Sequence, residues 1–224
     1  MIAERTLFMD AIRLFDVKIA KTPEQKDAAF RLRYQVYCVE RGYEPGQGAK
    51  ETDRFDPRSG HAILVQRSTG LVVGTVRVVA PKAQGDDADL PMQLLCARQV
   101  SPALAAGRTG EISRFAISKD LRDVGSGDVP LRLGLMRGIV EISAELGLTH
   151  WCAVMERTLL RLLRLSGIHF DPLGPAIEYR GLRQPSWGGI QQVLDRMRCE
   201  RPAVWDYVTD EGTLWKSVDA VAAA

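Results

Sequence analysis

The sequence predicts an α/β protein of the α+β kind, a mixed sheet with helices on both faces. Three observations predict it. Two apolar, β-branched runs, His61–Arg67 and Leu71–Ala80, are separated by Ser68-Thr69-Gly70 and read as a hairpin. Helical segments alternate with further strands, but not one for one, so neither a purely parallel nor an all-β fold fits. The composition, 46% hydrophobic and 26% charged over 224 residues, is ordinary for a globular chain. We read one domain over 1–224, with its core between about 15 and 200.

In chain order, Phe15–Ala20 reads as a strand. Thr22-Pro23-Glu24 then opens a helix, because Thr22 can cap and Pro23 suits the first helical position. That helix runs to about Glu40, with Ala29, Leu32, Val36 and Tyr37 on one face. Gly42–Pro57 has no periodicity and reads as a long loop, of the kind that is functional or disordered. After the hairpin, Pro81–Gly107 is a mixed connection with a short helix at Met92–Ala97. Gly110–Ser118 is a strand. The turn Gly125-Ser126-Gly127 leads into a helix over Pro130–Leu146. Thr149–Met155 is a strand, and Arg157–Leu165 a leucine-rich helix stopped by Gly167. Ile168–Leu173 and Ile177–Leu182 are short strands, and Gln191–Arg198 is helical. The tail, Val218–Ala224, is expected to fray.

Composition excludes several function classes. Thirty basic and twenty-eight acidic residues leave a net charge of +2, so no polycationic surface argues for nucleic acid. No apolar run approaches the roughly 18 residues that span a bilayer, so stable membrane insertion is not expected. Glu4 and Asp10 interrupt the N-terminal apolar stretch, and no signal peptide is read. Cys38, Cys96, Cys152 and Cys199 form no CxxC pair, and His61, His150 and His169 are scattered. No metal site is expected, and the cysteines read as reduced thiols of a cytoplasmic protein.

Three clusters can carry chemistry. In Glu51-Thr52-Asp53-Arg54-Phe55-Asp56, three carboxylates stand within six residues. They form either a solvated acidic turn or a set that binds a cation, a substrate amine or arginines from elsewhere. Arg77 sits mid-strand in Gly74-Thr75-Val76-Arg77-Val78-Val79. On a covered sheet face it needs an anionic partner, and the acidic loop is the obvious supplier; on an edge it would face water. In Gly110-Glu111-Ile112-Ser113-Arg114-Phe115-Ala116-Ile117, alternation places Glu111, Ser113 and Phe115 on one face and Arg114 on the other. A carboxylate on a central strand is either ion-paired or a general base tuned by burial. Gly-x-Ser-x-Gly, Walker A and Rossmann sequences are absent. Any chemistry here rests on carboxylates, arginines and backbone.

Taken in order, these residues resemble the acyl-homoserine-lactone autoinducer synthases. The pattern is Arg33-x-x-x-Tyr37, Tyr43, Glu51-x-Asp53-x-x-Asp56, Gly74-x-x-Arg77 and Glu111-x-Ser113-Arg114-Phe115. In that family the two aromatic positions are usually Phe and Trp; here both are Tyr. The similarity covers residues 25–120. The wording Arg33-Tyr34-Gln35-Val36-Tyr37-Cys38-Val39-Glu40-Arg41-Gly42, with Ser59-Gly60-His61 and Leu90-Pro91-Met92 before Cys96, is similar to a sister group. That group is the acyltransferases of PEP-CTERM/exosortase clusters, which belong with the N-acyl amino acid synthases.

The resemblance implies the GNAT fold and an N-acyltransferase. A fatty acyl thioester, on acyl carrier protein or coenzyme A, would be co-substrate, with no permanently bound cofactor. A small amine, an amino acid or relative, would be the acceptor. Glu111 would be the base, with Ser113 and Arg114 beside it in the catalytic set. Backbone N–H groups near Phe115–Ile117 would hold the oxyanion. Arg33, Asp53, Asp56, Arg77 and Arg114 would shape the acceptor pocket, which Tyr37, Tyr43, Phe115 and Ile117 would line. The GNAT phosphate loop is matched in letter by Arg122-Asp123-Val124-Gly125-Ser126-Gly127, so Arg122, Gly125 and Gly127 would bind phosphopantetheine. Asp123 and Asp128 oppose an anion there. Two alternatives stand: an autoinducer synthase using S-adenosylmethionine, and a non-catalytic GNAT-fold binding module. Arg157, Arg161 and Arg164 share one helix face, which reads as a solvated basic face or as a dock for acyl carrier protein.

Overall fold

Thr22 starts the first helix by a reciprocal cap. The Gln25 N–H donates to Thr22 Oγ1 at 3.3 Å, and the Thr22 N–H donates to Gln25 Oε1 at 3.1 Å. The computed structural model in which this is seen describes residues 13–43, 48–81, 90–96, 108–122 and 129–215. These form two compact units, Met1–Arg77 with Arg114–Ile142, and Val78–Ser113 with Ser143–Ala224.

In the first unit, β1 (Phe15–Ile19) pairs antiparallel with β2 (Ser59–Gln66), from Phe15↔Gln66 to Ile19↔Ala62. β3 (Val72–Val79), whose residues to Arg77 belong to this unit, follows β2 in the sheet, and β4 (Thr109–Ile117), which belongs to this unit from Arg114 on, comes next in the strand order. The turn between β2 and β3 is closed by Gln66 N to Leu71 O at 2.9 Å and Gly70 N to Gln66 O at 2.8 Å. The predicted helix is α1 (Pro23–Tyr34), continued by a wider π-helical stretch, Gln35–Glu40. Its apolar face is the one expected. Ala29 packs with Ala20 and Ile63, while Leu32 and Val36 pack with Ala116. α2 (Lys119–Arg122) and α3 (Val129–Glu145) come next in the chain. Gly138 of α3 lies on Ala62, where a Cβ would stand 2.4 Å from the Ala62 methyl. Ala62 and Ile63 are neighbours on one strand and point to opposite faces. So α1 and α3 cover β2 from opposite sides, as the mixed-sheet reading required.

In the second unit, β5 (His150–Glu156) runs parallel to the start of β4, from Thr109↔His150 to Glu111↔Cys152. α4 (Arg157–Leu165) ends where expected, at Gly167, whose φ of +78° is left-handed. β6 (Asp171–Pro172) and β7 (Ile177–Glu178) both pair with β8 (Leu182–Gly189). β8 is antiparallel to β5 from His150↔Gly189 to Glu156↔Arg183. α5 (Ile190–Glu200) and α6 (Pro202–Thr209) complete the described chain. Trp151 is fully buried, its Nε1 donating to Ser143 Oγ at 2.8 Å.

Three sequence expectations are corrected. The strands expected at Ile168–Leu173 and Ile177–Leu182 shrink to β6 and β7, and the long strand is β8. Its sequence, Leu-Arg-Gln-Pro-Ser-Trp-Gly-Gly, lacks the β-branched signal and reads as a turn. α6 was not anticipated, although Pro202 at its start is an ordinary opening. Strict alternation along β4 fails at Arg114, whose φ of +54° lies in the left-handed region and breaks the strand's two-residue period. The Gly125-Ser126-Gly127 turn and the tail from Val218 lie outside the described residues. Among the described residues, no helix is long and apolar enough to cross a membrane.

Candidate active site

The acidic loop folds on itself before it meets any arginine. Asp53 Oδ1 accepts the Phe55 N–H at 2.9 Å, and Asp56 Oδ2 accepts the Asp53 N–H at 2.7 Å. Pro57 then starts a single 3-10 turn, Asp56–Arg58. Two aspartates spaced three apart thus turn their carboxylates the same way.

Three arginines from three elements meet these carboxylates. Arg33, at the end of α1, donates Nε to Glu51 Oε2 at 2.5 Å and forks onto Asp56 at 2.7 and 3.2 Å. Arg77, in β3, donates Nη1 to Asp53 Oδ1 at 2.5 Å and to Asp56 Oδ1 at 2.8 Å. Arg114, in β4, reaches Glu51 at 3.0 Å and Asp53 Oδ2 at 3.0 Å. The left-handed turn at Arg114 directs its side chain to this network. Among the described residues, these three cations and three anions balance. Arg33 and Arg77 are fully enclosed and Asp56 is 7% exposed, whereas Arg114 and Asp53 are 20% and 23% exposed. The network therefore presents Arg114 and Asp53 to solvent and hides the others.

The charges are set by their neighbours. Burial alone would raise all three carboxyls, but the arginines outweigh it and hold each below its ordinary range. Asp56 falls to about 2, chiefly through Arg33. Burial would lower Arg114, yet Glu51 and Asp53 drive it up. Burial pushes the Tyr37 phenol up, so it is a neutral hydrogen-bond donor.

The aromatics stand on the same network. Tyr37 Oη donates to the Phe115 carbonyl at 3.1 Å, and its ring lies 5.9 Å from the Arg114 guanidinium carbon. Tyr43 stacks on Tyr37 at 6.4 Å between centroids and accepts Arg41 Nη1 at 3.1 Å. Ile117, at the end of β4, is buried. Arg33, Tyr37, Tyr43, Asp53, Asp56, Arg77, Arg114 and Phe115 are thus brought together.

Glu111 lies on the part of β4 that pairs with β5. It is 3% exposed, and its Oε2 accepts the Met92 N–H at 2.6 Å. The predicted short helix is present over 91–96. Cys96 and Cys152 are buried near it. Burial first, and the Glu111 charge second, push both thiols up. Ser113 is half-buried two residues further along β4. Arg122 ends α2; Gly125 and Gly127 lie outside the described residues. Among the described residues no group of His, Cys, Asp and Glu is placed to hold a metal.

Two residues gained weight from the structure. Glu51 was one carboxylate of a cluster; it bridges Arg33 and Arg114. His61 was merely a scattered histidine. It is fully buried, edge-on to Phe30 at 5.3 Å, with Nε2 3.7 Å from Asp56 Oδ1. Burial lowers it to about 4, so it is neutral. The available signal was a histidine five residues after Asp56, at the head of an apolar strand.

With this geometry established, likeness to known proteins is informative. Residues 32–129 match the acetyltransferase (GNAT) domain family. No curated protein matches the chain in sequence. Among solved structures, it is similar to FeeM, an N-acyl amino acid synthase from uncultured soil microbes. The TM-score is 0.63 at 17% identity, over 81% of this chain and 93% of that one. It is similar to the AHL synthase LasI, with TM-score 0.61 at 18% identity, over 77% of this chain and 88% of the other. It is also similar to BjaI, a CoA-dependent acyl-homoserine lactone synthase solved with SAM and isopentyl-CoA. There the TM-score is 0.60 at 21% identity, over 83% and 88%. Residues 32–129 are thus similar to GNAT acetyltransferase domains, and the chain has the fold of these enzymes.

Proposed function

We propose that this chain, a single GNAT acyltransferase domain over 1–224, moves a fatty acyl group from a thioester to the amine of a small molecule. The acceptor is an amino acid or a related amine, and the donor is acyl carrier protein or coenzyme A. The observation that carries this reading is the balanced Arg33–Glu51–Asp53–Asp56–Arg77–Arg114 network. It is assembled from the motif residues that resemble the autoinducer synthases and N-acyl amino acid synthases, and not from incidental surface charges. FeeM, by its description, makes N-acyl amino acids, which supports the acceptor class.

In this reading the amine attacks as the neutral form. Glu111 takes its proton, directly or through water. Main-chain N–H groups near Phe115–Ile117 receive the oxyanion, each such donor being worth ~2.7–4 kcal/mol of barrier. The thiolate leaves, and no acyl-enzyme forms. Ser113 and Arg114 flank the reacting groups on β4. Asp53 and Arg114, the exposed members of the network, meet the polar end of the acceptor; Tyr37 and Tyr43 wall it. Arg122, Gly125 and Gly127 take the pantetheine phosphate. The site of action is the cytoplasm, where acyl thioesters are made.

A second reading, lactone synthesis from S-adenosylmethionine, draws on the likeness to LasI and BjaI. Tyr43 at the usual Trp position favours the first. Mass spectrometry of lipids from an expressing host decides between them. Acyl amino acids support the proposal; acyl-homoserine lactones support the second reading; an unchanged profile leaves a binding module.

A further inference from the structure

One tyrosine meets the kink in β4 at two points. Arg114 sits at φ +54°, a conformation that a non-glycine residue keeps only when its surroundings over-determine it. Its guanidinium is fixed on one side, Nε to the two Glu51 oxygens at 3.0 and 3.1 Å and Nη2 to Asp53 Oδ2 at 3.0 Å. On the other side the next carbonyl, that of Phe115, accepts Tyr37 Oη at 3.1 Å. The Tyr37 ring also lies 5.9 Å from the Arg114 guanidinium carbon. Tyr37 thus touches both the side chain at the kink and the main chain just after it.

Tyr37 is itself anchored. It belongs to the π-helical stretch Gln35–Glu40 and packs against the cluster of Leu32, Val36 and Ala116. Gly42, at φ +61°, reverses the chain. The reversal returns the Tyr43 N–H to the Tyr37 carbonyl at 2.8 Å and lays the Tyr43 ring on that of Tyr37. Burial keeps the phenol protonated, so its hydroxyl remains a donor. A donor anchored through both its ring and its main chain directs its acceptor rather than following it.

We propose that Tyr37 is a positioning residue for acyl transfer: its hydroxyl holds the Phe115 carbonyl and so sets the main-chain N–H groups near Phe115–Ile117 that receive the oxyanion. The proposal rests on the acyl-transfer reading above. A peptide unit is planar, so a carbonyl fixed at its oxygen cannot turn without turning the N–H joined to it. With Arg114 pinned just before it, the Phe115 backbone is held from both sides. Donors fixed in advance stabilise developing charge without reorganising at the moment of reaction. The hydroxyl acts through the main chain and touches neither acceptor nor thioester.

The test is Tyr37→Phe in the full chain, which removes the hydroxyl and keeps the ring on Tyr43. Phenylalanine 115 labelled with 13C and 18O at its carbonyl reports the hold, and its amide I band should rise in frequency when the donor goes. Transfer is measured with decanoyl-CoA and a mixture of the standard amino acids. The kcat should fall roughly tenfold, the upper range for one neutral hydrogen bond, with KM for decanoyl-CoA unchanged. Tyr37→para-aminophenylalanine, whose neutral amine can donate in place of the hydroxyl, should restore both the band and kcat. An unmoved band overturns the proposal, and so does a moved band with unchanged kcat, because the hydrogen bond would then serve the fold alone. If the unaltered protein transfers no acyl group, the acyl-transfer reading falls and the proposal with it. That failure shows before any substitution is made, which tells the two apart.

Discussion

Arg77 Nη1 donates to Asp56 Oδ1 at 2.8 Å, and the guanidinium is fully enclosed. A strand arginine and a loop carboxylate, twenty-one residues apart in the chain, thus neutralise each other away from water. Removing one partner of such a pair strands the other, at a cost of ~3–5 kcal/mol. Here the loss is cushioned. Without Asp56, Arg77 retains Asp53 and Arg33 retains Glu51. We expect Asp56→Ala and Arg77→Ala each to destabilise by about 3 kcal/mol, the low end of that range. The double variant should fall short of their sum by at least ~1 kcal/mol. Urea denaturation of the four proteins checks this, and strict additivity would mean the contact contributes nothing.

Acid should weaken the fold in two stages. His61 is held at about 4 against an ordinary 6.5. Its folded value is depressed, so the unfolded chain binds the extra proton first as pH falls. Stability is full above 6.5 and declines between 6.5 and 4, by about 3 kcal/mol for that shift. Asp56, depressed from 3.8 to about 2, adds a second loss between those values. The melting temperature should drop across both windows. His61→Phe, which cannot titrate, should flatten the first window alone; an unchanged slope there would assign the decline to other groups.

Much of this site was legible in the sequence, and the reasons are local. Arg77 was readable because one charge interrupts an apolar strand. Asp53 and Asp56 were readable because three carboxylates stand within six residues. The capped start of α1 at Thr22-Pro23 was equally plain. What was illegible depends on long-range geometry. Which arginine meets which carboxylate is set by β3 and β4 lying side by side, and no spacing rule contains that. Arg114 was assigned to a face by the two-residue period, which its left-handed backbone breaks. β8 was missed because its stability comes from pairing with β5, β6 and β7, not from its own weak strand propensity.

Glu111→Gln isolates basicity from shape. The amide keeps the volume of the carboxylate, and its oxygen can still accept the Met92 N–H. We therefore expect a melting temperature close to that of the unaltered protein. Acyl transfer at neutral pH should fall at least ~100-fold, the usual contribution of a general base. Steady-state turnover with purified protein is the check. Near-normal turnover would remove Glu111 from the chemistry.

Arg157, Arg161 and Arg164 are all exposed on α4, while Leu163 of the same helix is buried. The stripe is therefore a solvent-facing basic surface anchored from behind. A solvated face of this kind needs no partner. However, acyl carrier proteins are acidic, and a basic patch would speed and orient their encounter. The two donors separate the possibilities, because coenzyme A carries no protein surface. If the stripe docks the carrier, KM for acyl carrier protein should rise with ionic strength while KM for acyl-CoA stays level. Arg161→Glu should likewise raise the first, by roughly tenfold for one reversed interface charge, and spare the second. Should both donors respond equally, α4 would serve folding or the shared pantetheine arm, and carrier docking would have to lie on another face.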